Sequence, residues 1–282
     1  MGTAELLSTA LDAARLAAVV HREHLGRVRV EEWSEKGVAD FVTHVDRAAE
    51  AVIVERVRSR FPDHRLFAEE TESGSVEAAA ITRPGEWTWI IDPLDGTTNY
   101  LHGYPAYAVS IGVAHGSDLG AAVVLNGASG EEWTAERGGG AFRNGERISV
   151  SQIDSLPRAL IGTGFPFKAR ELLPRYTDQL AAALRGTSGV RRAGSAALDL
   201  CHLATGWFDG FWELALAPWD VAAGTLIIRE AGGVVTRIDG APDVLGHGSI
   251  LAGNPVIHEA LGELIRESDA AHSRRETDKT KT

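Results

Sequence analysis

The chain has 282 residues, of which 44% are hydrophobic and 24% charged, with a formal net charge of −11 and a single cysteine. That length supports a packed core, in one large domain or two modest ones, without disulfide or metal staples. The lone Cys201 excludes an internal disulfide framework and fits a reducing compartment. The acidic balance, with no dense basic stripe, argues against nucleic acid as a substrate.

The first twenty residues carry Glu5, Asp12 and Arg15 inside an apolar pattern, unlike a secretory signal. Leu6, Leu7, Ala10, Leu11, Ala14 and Ala18 recur at helical spacing, so the stretch from about Ala4 to His24 is predicted to be an amphipathic helix. The histidines of "HREHL" lack metalloprotease spacing and are expected on its surface. "RVRVEEW" is expected to form a strand running into a turn at Lys36-Gly37, and "DRAAEAVIVERVRSRF" a second helix closed by Pro62. The segments "RLFAEE", "WTWIID", "AYAVSIGVAH", "GAAVVLN" and "EEWTAERG" read as strands joined by Gly- and Asn-rich turns. "RGGGAFRNG" lacks the Lys-Ser/Thr ending of a P-loop and reads as a turn.

After about Val150 strand-like and helix-like pieces alternate, from "ALIGTGF" through "SAALDLCHLATG", "FDGFWELA" and "WDVAAGTLIIREAGG" to "VIHEALGELIRE". Three regions are therefore expected: residues 1–149, 150–266, and a polar tail without fixed structure over 267–282. No segment is long and apolar enough to span a membrane, and a cytoplasmic location is expected. Cys201 is expected to be a small buried hydrophobe.

Four acidic positions lie beside apolar sequence. Glu69 and Glu70 close "RLFAEE"; Asp92 and Asp95 flank Pro93-Leu94 in "WTWIIDPLDGTTNYLHG"; Asp220 opens the helix that Gly232 ends. Each taken singly has an ordinary reading: a turn or N-cap at Asp95-Gly96, a first-turn acid at Asp220, an exposed strand end at Glu69-Glu70. Taken together, clustered carboxylates need a compensating cation. Between Glu69 and His102 the only Lys or Arg is Arg83, which points to a hard divalent ion, Mg²⁺ above all. Gly96-Thr97-Thr98, at a helix start, offers amides to an anion such as phosphate. Metal-assisted hydrolysis of a phosphate ester is the reaction class that uses both features.

"WIIDPLDGTTNYLHGYPAYAVSIGV" resembles the signature of the inositol monophosphatase family of Mg²⁺-dependent, lithium-sensitive phosphatases, and "PWDVAAGTLIIREAGG" resembles its second signature. "FAEE" and "KGVADFVTHVD" are similar to two further elements of that family, so the likeness runs in order from about Lys36 to Gly253. It implies an α/β (α+β) fold, a layered α-β-α-β-α sandwich with a larger, mostly antiparallel sheet in the N-terminal half and a smaller mixed sheet in the C-terminal half. It implies that Glu69, Asp92 and the Leu94 carbonyl bind one Mg²⁺ and that Asp92, Asp95 and Asp220 bind a second. A third, looser ion would reach Glu69 through water and arrive with substrate. Thr97, beside Glu69 and supported by Asp46, would orient the attacking water. The Gly96 and Thr97 amides with Thr98 would hold phosphate, and Gly194, Ser195, Ala196 and Glu213 would contact the sugar or polyol. Lys36 and Glu70 are auxiliary candidates, and a homodimer is the family's usual state.

The activity so implied is hydrolysis of a sugar or polyol phosphate monoester, inositol 1-phosphate foremost, by in-line attack of metal-activated water without a phosphoenzyme. Thr98-Asn99 with Glu213 looks most like the inositol phosphate branch. Histidinol phosphate, fructose 1,6-bisphosphate and NADP are the alternative substrates, and a non-catalytic regulatory binding protein is the alternative class. One departure from the family pattern is His44, where a small residue is usual; it either points outward or touches a nearby loop.

Overall fold

The structure is a computed structural model describing residues 2–37, 40–71, 81, 83–246 and 248–279, with side chains 35–37, 40, 41 and 279 outside the description. Two helices open the chain, α1 (Thr3–His24) and α2 (His44–Arg60), separated by a hairpin of β1 (Ser34–Gly37) and β2 (Asp40–Val42). The expected strand at "RVRVEEW" is instead a single 3₁₀ turn, Val30–Glu32, because the Glu32 carboxylate reaches back to the Arg29 amide at 2.8 Å and closes the chain locally. Helix α2 starts at Thr43, whose hydroxyl accepts from the Val45 amide while Asp46 accepts from the Thr43 amide.

A seven-stranded sheet follows: β3 (Arg65–Ala68), β4 (Trp87–Asp95), β5 (Ala108–His115), β6 (Asp118–Asn126), β7 (Glu132–Glu136), β8 (Gly140–Arg143) and β9 (Glu146–Arg147), in that spatial order. Every neighbouring pair is antiparallel except β3 and β4. "RGGGAFRNG" is thus more than a turn, since β8 occupies its middle and pairs with β7. Both sheet faces are covered, which is why β4 to β6 read as nearly unbroken apolar runs. Trp89, Ile91, Val109, Ile111, Val113, Ala121 and Val123 pack with α1 and α2, and their alternates Ile90, Ala122 and Val124 face the other way.

The second sheet has five strands in the order β11 (Gly189–Arg191), β10 (Leu160–Thr163), β12 (Gly210–Leu214), β14 (Ser249–Gly253) and β13 (Val234–Thr236). It is mixed, with β10 parallel to both of its neighbours and β14 antiparallel to β12 and β13. Between the two sheets lie α5 (Ala196–Ala204) and α6 (Pro218–Glu230), whose residues share one core with both. On the outer face of the small sheet sit α4 (Leu173–Gly186) and α7 (Pro255–Lys279). A short α3 (Thr97–Leu101) caps β4. The result is the layered α-β-α-β-α order, built because each sheet has two apolar faces and each helix one or two to match.

Residues 267–279, expected as a tail, continue α7. Charged contacts rather than an apolar stripe hold them: Arg175 donates twice to Asp269, Gln179 donates to Asp269 at 2.7 Å, and Asp178 accepts from Arg275 and contacts His272. Residues 280–282 lie outside the description. Cys201 is fully buried, as expected, and burial pushes its thiol pKa up. No described helix is long and apolar enough to cross a membrane.

Candidate active site

A cavity of about 380 Å³ opens between the two halves, lined by Glu69, Asp92, Leu94, Asp95, Gly96, Thr97 and Thr98 on one side. Gly164, Phe165, Phe167, Lys168, Arg192, Gly194 to Ala196, Asp199, Glu213 and Asp220 line the other.

Residues three apart on a regular strand point to opposite faces, yet Asp92 and Asp95 must converge. Strand β4 resolves this with a register shift against β5 between those two residues. The Asp92 carboxylate accepts from the Leu94 amide at 2.9 Å, and the Pro93 carbonyl accepts from His21 Nε2 at 3.0 Å, so both sides of the bend are fixed. His21 is therefore buried rather than on the surface, and burial lowers its pKa to about 4, leaving the ring neutral. Gly96 takes φ +86°, and a Cβ there would stand 2.8 Å from the Ala106 carbonyl oxygen, so both conformation and space call for glycine.

Asp220 comes from α6, where its carboxylate accepts from the Ala217 amide at 2.7 Å one turn earlier. Oxygens of Asp92, Asp95 and Asp220 all lie within 4.8 Å of one another. Each ionised pair at that separation repels by roughly 3–4 kcal/mol at an effective dielectric of about 20. Burial, reinforced by Glu69, Asp95 and Asp220, holds the Asp92 carboxyl well above the usual carboxylate range. Asp220 is pushed up to about 7, by burial first and then by Asp95. Burial also raises Asp95, but only to about 6, because the Ser195 hydroxyl at 2.5 Å and the Ala197 amide at 2.8 Å donate to its Oδ2. These donors form the first turn of α5, which places a helix start against the anion. Lys168 offsets part of the charge on Asp95 and Asp220.

Glu69 directly follows β3, acts on Asp92 and lines the cavity. The buried Glu50 of α2 fixes the backbone there by accepting from the Glu70 amide at 2.7 Å and from the Thr71 hydroxyl. Glu70 itself does not line the cavity. Thr97 Oγ1 lies 3.0 Å from Asp46 Oδ1 and 3.0 Å from the Leu94 carbonyl. Its single proton serves one acceptor at a time. Donated to Asp46, it leaves the Leu94 oxygen free for a cation and the Thr97 lone pairs free for water. Burial raises the Asp46 pKa, against donors at Thr43 and Thr97.

The structure thus gathers Glu69, Asp92, Leu94, Asp95, Gly96, Thr97, Thr98, Gly194, Ser195, Ala196, Glu213 and Asp220 around one cavity, with Asp46 behind Thr97. The Lys36 side chain falls outside the described set, and His44 is exposed with its ring 5.3 Å from that of His24. Sequence reading missed Lys168, Arg192, Asp199 and the two phenylalanines. A usable signal was their position just beyond or near the carboxyl ends of the parallel strands β10 and β11, where α/β crevices form. It also missed the bridging role of Asn99, whose amide donates to the Ala106 and Ala193 carbonyls at 2.7 and 2.9 Å and ties the two halves together.

The family model described as the inositol monophosphatase family matches residues 3–270. A Pseudomonas aeruginosa protein named Nus factor SuhB is 44% identical over 258 residues, 91% of this chain and 94% of its own length. A Mesorhizobium japonicum inositol-1-monophosphatase is 42% identical over 267 residues, 95% of this chain and 98% of its own. The crystal structure of extragenic suppressor protein suhB from Bartonella henselae matches with a TM-score of 0.86 at 38% identity, covering 93% of this chain and 98% of that one.

Proposed function

The chain belongs to the inositol monophosphatase family and is a phosphatase, and on that premise we propose that it hydrolyses a polyol phosphate monoester, inositol 1-phosphate foremost, with Mg²⁺. The observation that carries this reading is the convergence of Asp92, Asp95 and Asp220 within 4.8 Å beside the Asp46–Thr97 pair.

The donor set fits a hard divalent cation. All the candidate ligands are oxygens, and the cavity wall holds six carboxylates against two cations, Lys168 and Arg192. Glu69, Asp92 and the Leu94 carbonyl would hold one ion, and Asp92, Asp95 and Asp220 a second. A third fits the remaining charge of a substrate dianion. When bound, such ions supply Lewis acidity to the attacking water and to the ester oxygen that leaves.

The chain's own residues do the rest. Thr97, donating to Asp46, accepts from water and aims it, with Glu69 alongside to take up the proton. The Gly96 and Thr97 amides and the Thr98 hydroxyl face the phosphoryl oxygens and stabilise their charge. Glu213, Gly194, Ser195 and Ala196 line the side where the polyol lies. In-line attack inverts phosphorus and leaves no phosphoenzyme. Isolation of a phospho-aspartate or phosphoserine would refute this route. The functional test is phosphate release from inositol 1-phosphate, fructose 1,6-bisphosphate, histidinol phosphate and NADP in millimolar-range Mg²⁺. Release from none of them, with Asp95→Asn indistinguishable from wild type, overturns the reading.

Kinship with a protein named as a Nus factor favours a second reading, a regulatory binding role beside turnover. Phosphate release that disappears with Asp95→Asn excludes it as the whole function.

A further inference from the structure

Asp199 sits in α5 on the cavity wall, 1% exposed, and the mechanism above gives it no task. Its Oδ1 is buried without a hydrogen-bond partner among the described residues. An unpartnered buried acceptor costs about 1–3 kcal/mol, so a structural purpose would have to recover that. None is visible. The cap of α5 is made by Ser195, whose Oγ accepts from the Leu198 amide, and the Asp199 amide is already used by the Ser195 carbonyl. Asp95 is the charged group that acts most on Asp199; Arg192 is the cation that acts on it, but its guanidinium packs over the rings of Phe165 and Phe167, 4.9 Å from each centroid. No salt bridge joins Arg192 to Asp199 among the described residues.

Glu213 lines the same wall, and of the charged groups that act on it Asp199 is foremost. Its carboxylate lies flat against Gly164, where a Cβ would stand 1.9 Å from Oε1. The phosphate end of the cavity is accounted for by Gly96 to Thr98 and the acid triad. The Asp199–Glu213 end therefore faces the leaving group. An Asp199 Oδ1 with an unmet hydrogen bond, on the same wall as the Glu213 carboxyl, suits a ligand offering neighbouring donors, and a neutral polyol with neighbouring hydroxyls does so. A purely apolar leaving group offers none.

We propose that Asp199 is a specificity-determining residue, whose carboxyl works with that of Glu213 to grip neighbouring hydroxyls of a polyol leaving group. The inference rests on the reading of the site as a polyol phosphate phosphatase and adds a second gripping residue to it. It predicts selectivity rather than catalytic power, because the mechanism above gives Asp199 neither a metal ion nor a phosphoryl oxygen to hold.

The test compares wild type, Asp199→Ala and the isosteric Asp199→Asn on inositol 1-phosphate and on p-nitrophenyl phosphate, whose leaving group has no neighbouring hydroxyls. For Asp199→Ala the expected result is a rise of about tenfold in KM for inositol 1-phosphate, equivalent to about 1.4 kcal/mol, with kcat within about threefold. KM for p-nitrophenyl phosphate stays unchanged, Asp199→Asn recovers part of the loss, and neither variant lowers the thermal midpoint. Equal changes in KM for both substrates, no change for either, or a lowered thermal midpoint in both variants would overturn the assignment. Wild-type turnover of p-nitrophenyl phosphate but of no polyol phosphate would overturn the functional reading and this one together. Polyol phosphate turnover with unchanged selectivity would overturn only this one.

Discussion

At one end of the cavity Asp92, Leu94, Asp95, Gly96 and Thr97 come from a single contiguous stretch, held by the bend in β4 and by bonds with Asp46, Ser195 and Ala197. At the other end Gly164, Arg192, Asp199 and Glu213 come from separate segments, and the Asp199 Oδ1 has no hydrogen-bond partner among the described residues. The first end is tied down before any ligand arrives, as transition-state stabilisation requires. The second keeps open acceptors for the ligand to satisfy, as selectivity requires. On the proposed reading, reaction chemistry and leaving-group choice fall to different parts of the chain, and variants should separate them.

The largest separation is expected from Asp95→Asn, which removes a candidate ligand shared with the first turn of α5. Phosphate release should fall by roughly a thousandfold, and the Mg²⁺-induced rise in thermal midpoint should vanish, read by a metal titration in differential scanning fluorimetry. Retained activity at ordinary Mg²⁺ would erase the distinction between the two ends. Thr97→Ala comes next, with kcat down about a hundredfold and the Mg²⁺-induced stabilisation kept; Thr97→Ser should restore most of the rate.

Gly164→Ala acts on the opposite end by forcing Glu213 to move. KM for the polyol phosphate should rise about tenfold with little change in kcat, and a kcat effect as large as that of Thr97→Ala would show that the ends are coupled. Gln179→Ala lies behind this wall, where it breaks the bonds from Trp212 Nε1 and to Asp269. It should cost about 1–3 kcal/mol of stability, read by urea unfolding, with the kinetics unchanged.

The smallest effect concerns pH. In metal-free protein the carboxyls of Asp95 and Asp220 are raised to about 6 and about 7. A carboxyl raised on folding contributes stability that is full below its unfolded value near 4 and is lost as pH climbs through the folded value. The thermal midpoint in chelator should therefore decline by a few degrees between about pH 4 and 7.5, and saturating Mg²⁺ should remove the decline. A midpoint in chelator that rises over that range would contradict the picture of mutually repelling acids.

The contiguous end was legible because its residues break local rules: two acids terminate an apolar strand, and glycine with two threonines opens a helix. The paired sheets were legible from strands apolar on both faces. His21 was misread although it follows Ala14 by seven residues on the buried stripe of α1, because a histidine on a helix suggests solvent unless its partner, here the distant Pro93 carbonyl, is known. The end of α7 was misread because it docks through Asp269 and His272 onto α4, and ion pairs between distant elements leave no periodic trace. Lys168, Arg192 and Asp199 become visible only once the two sheets close on each other.

The acid triad also has an order in time. Asp92 and Asp95 leave the ribosome well before Asp220, and at about 5–20 residues per second the interval is roughly 6–25 s. Until then the nascent chain carries two crowded carboxylates that the third triad ligand has yet to join. The triad is complete only after the helix between the sheets has docked, so on the proposed reading metal capture would report completion of the fold rather than initiate it.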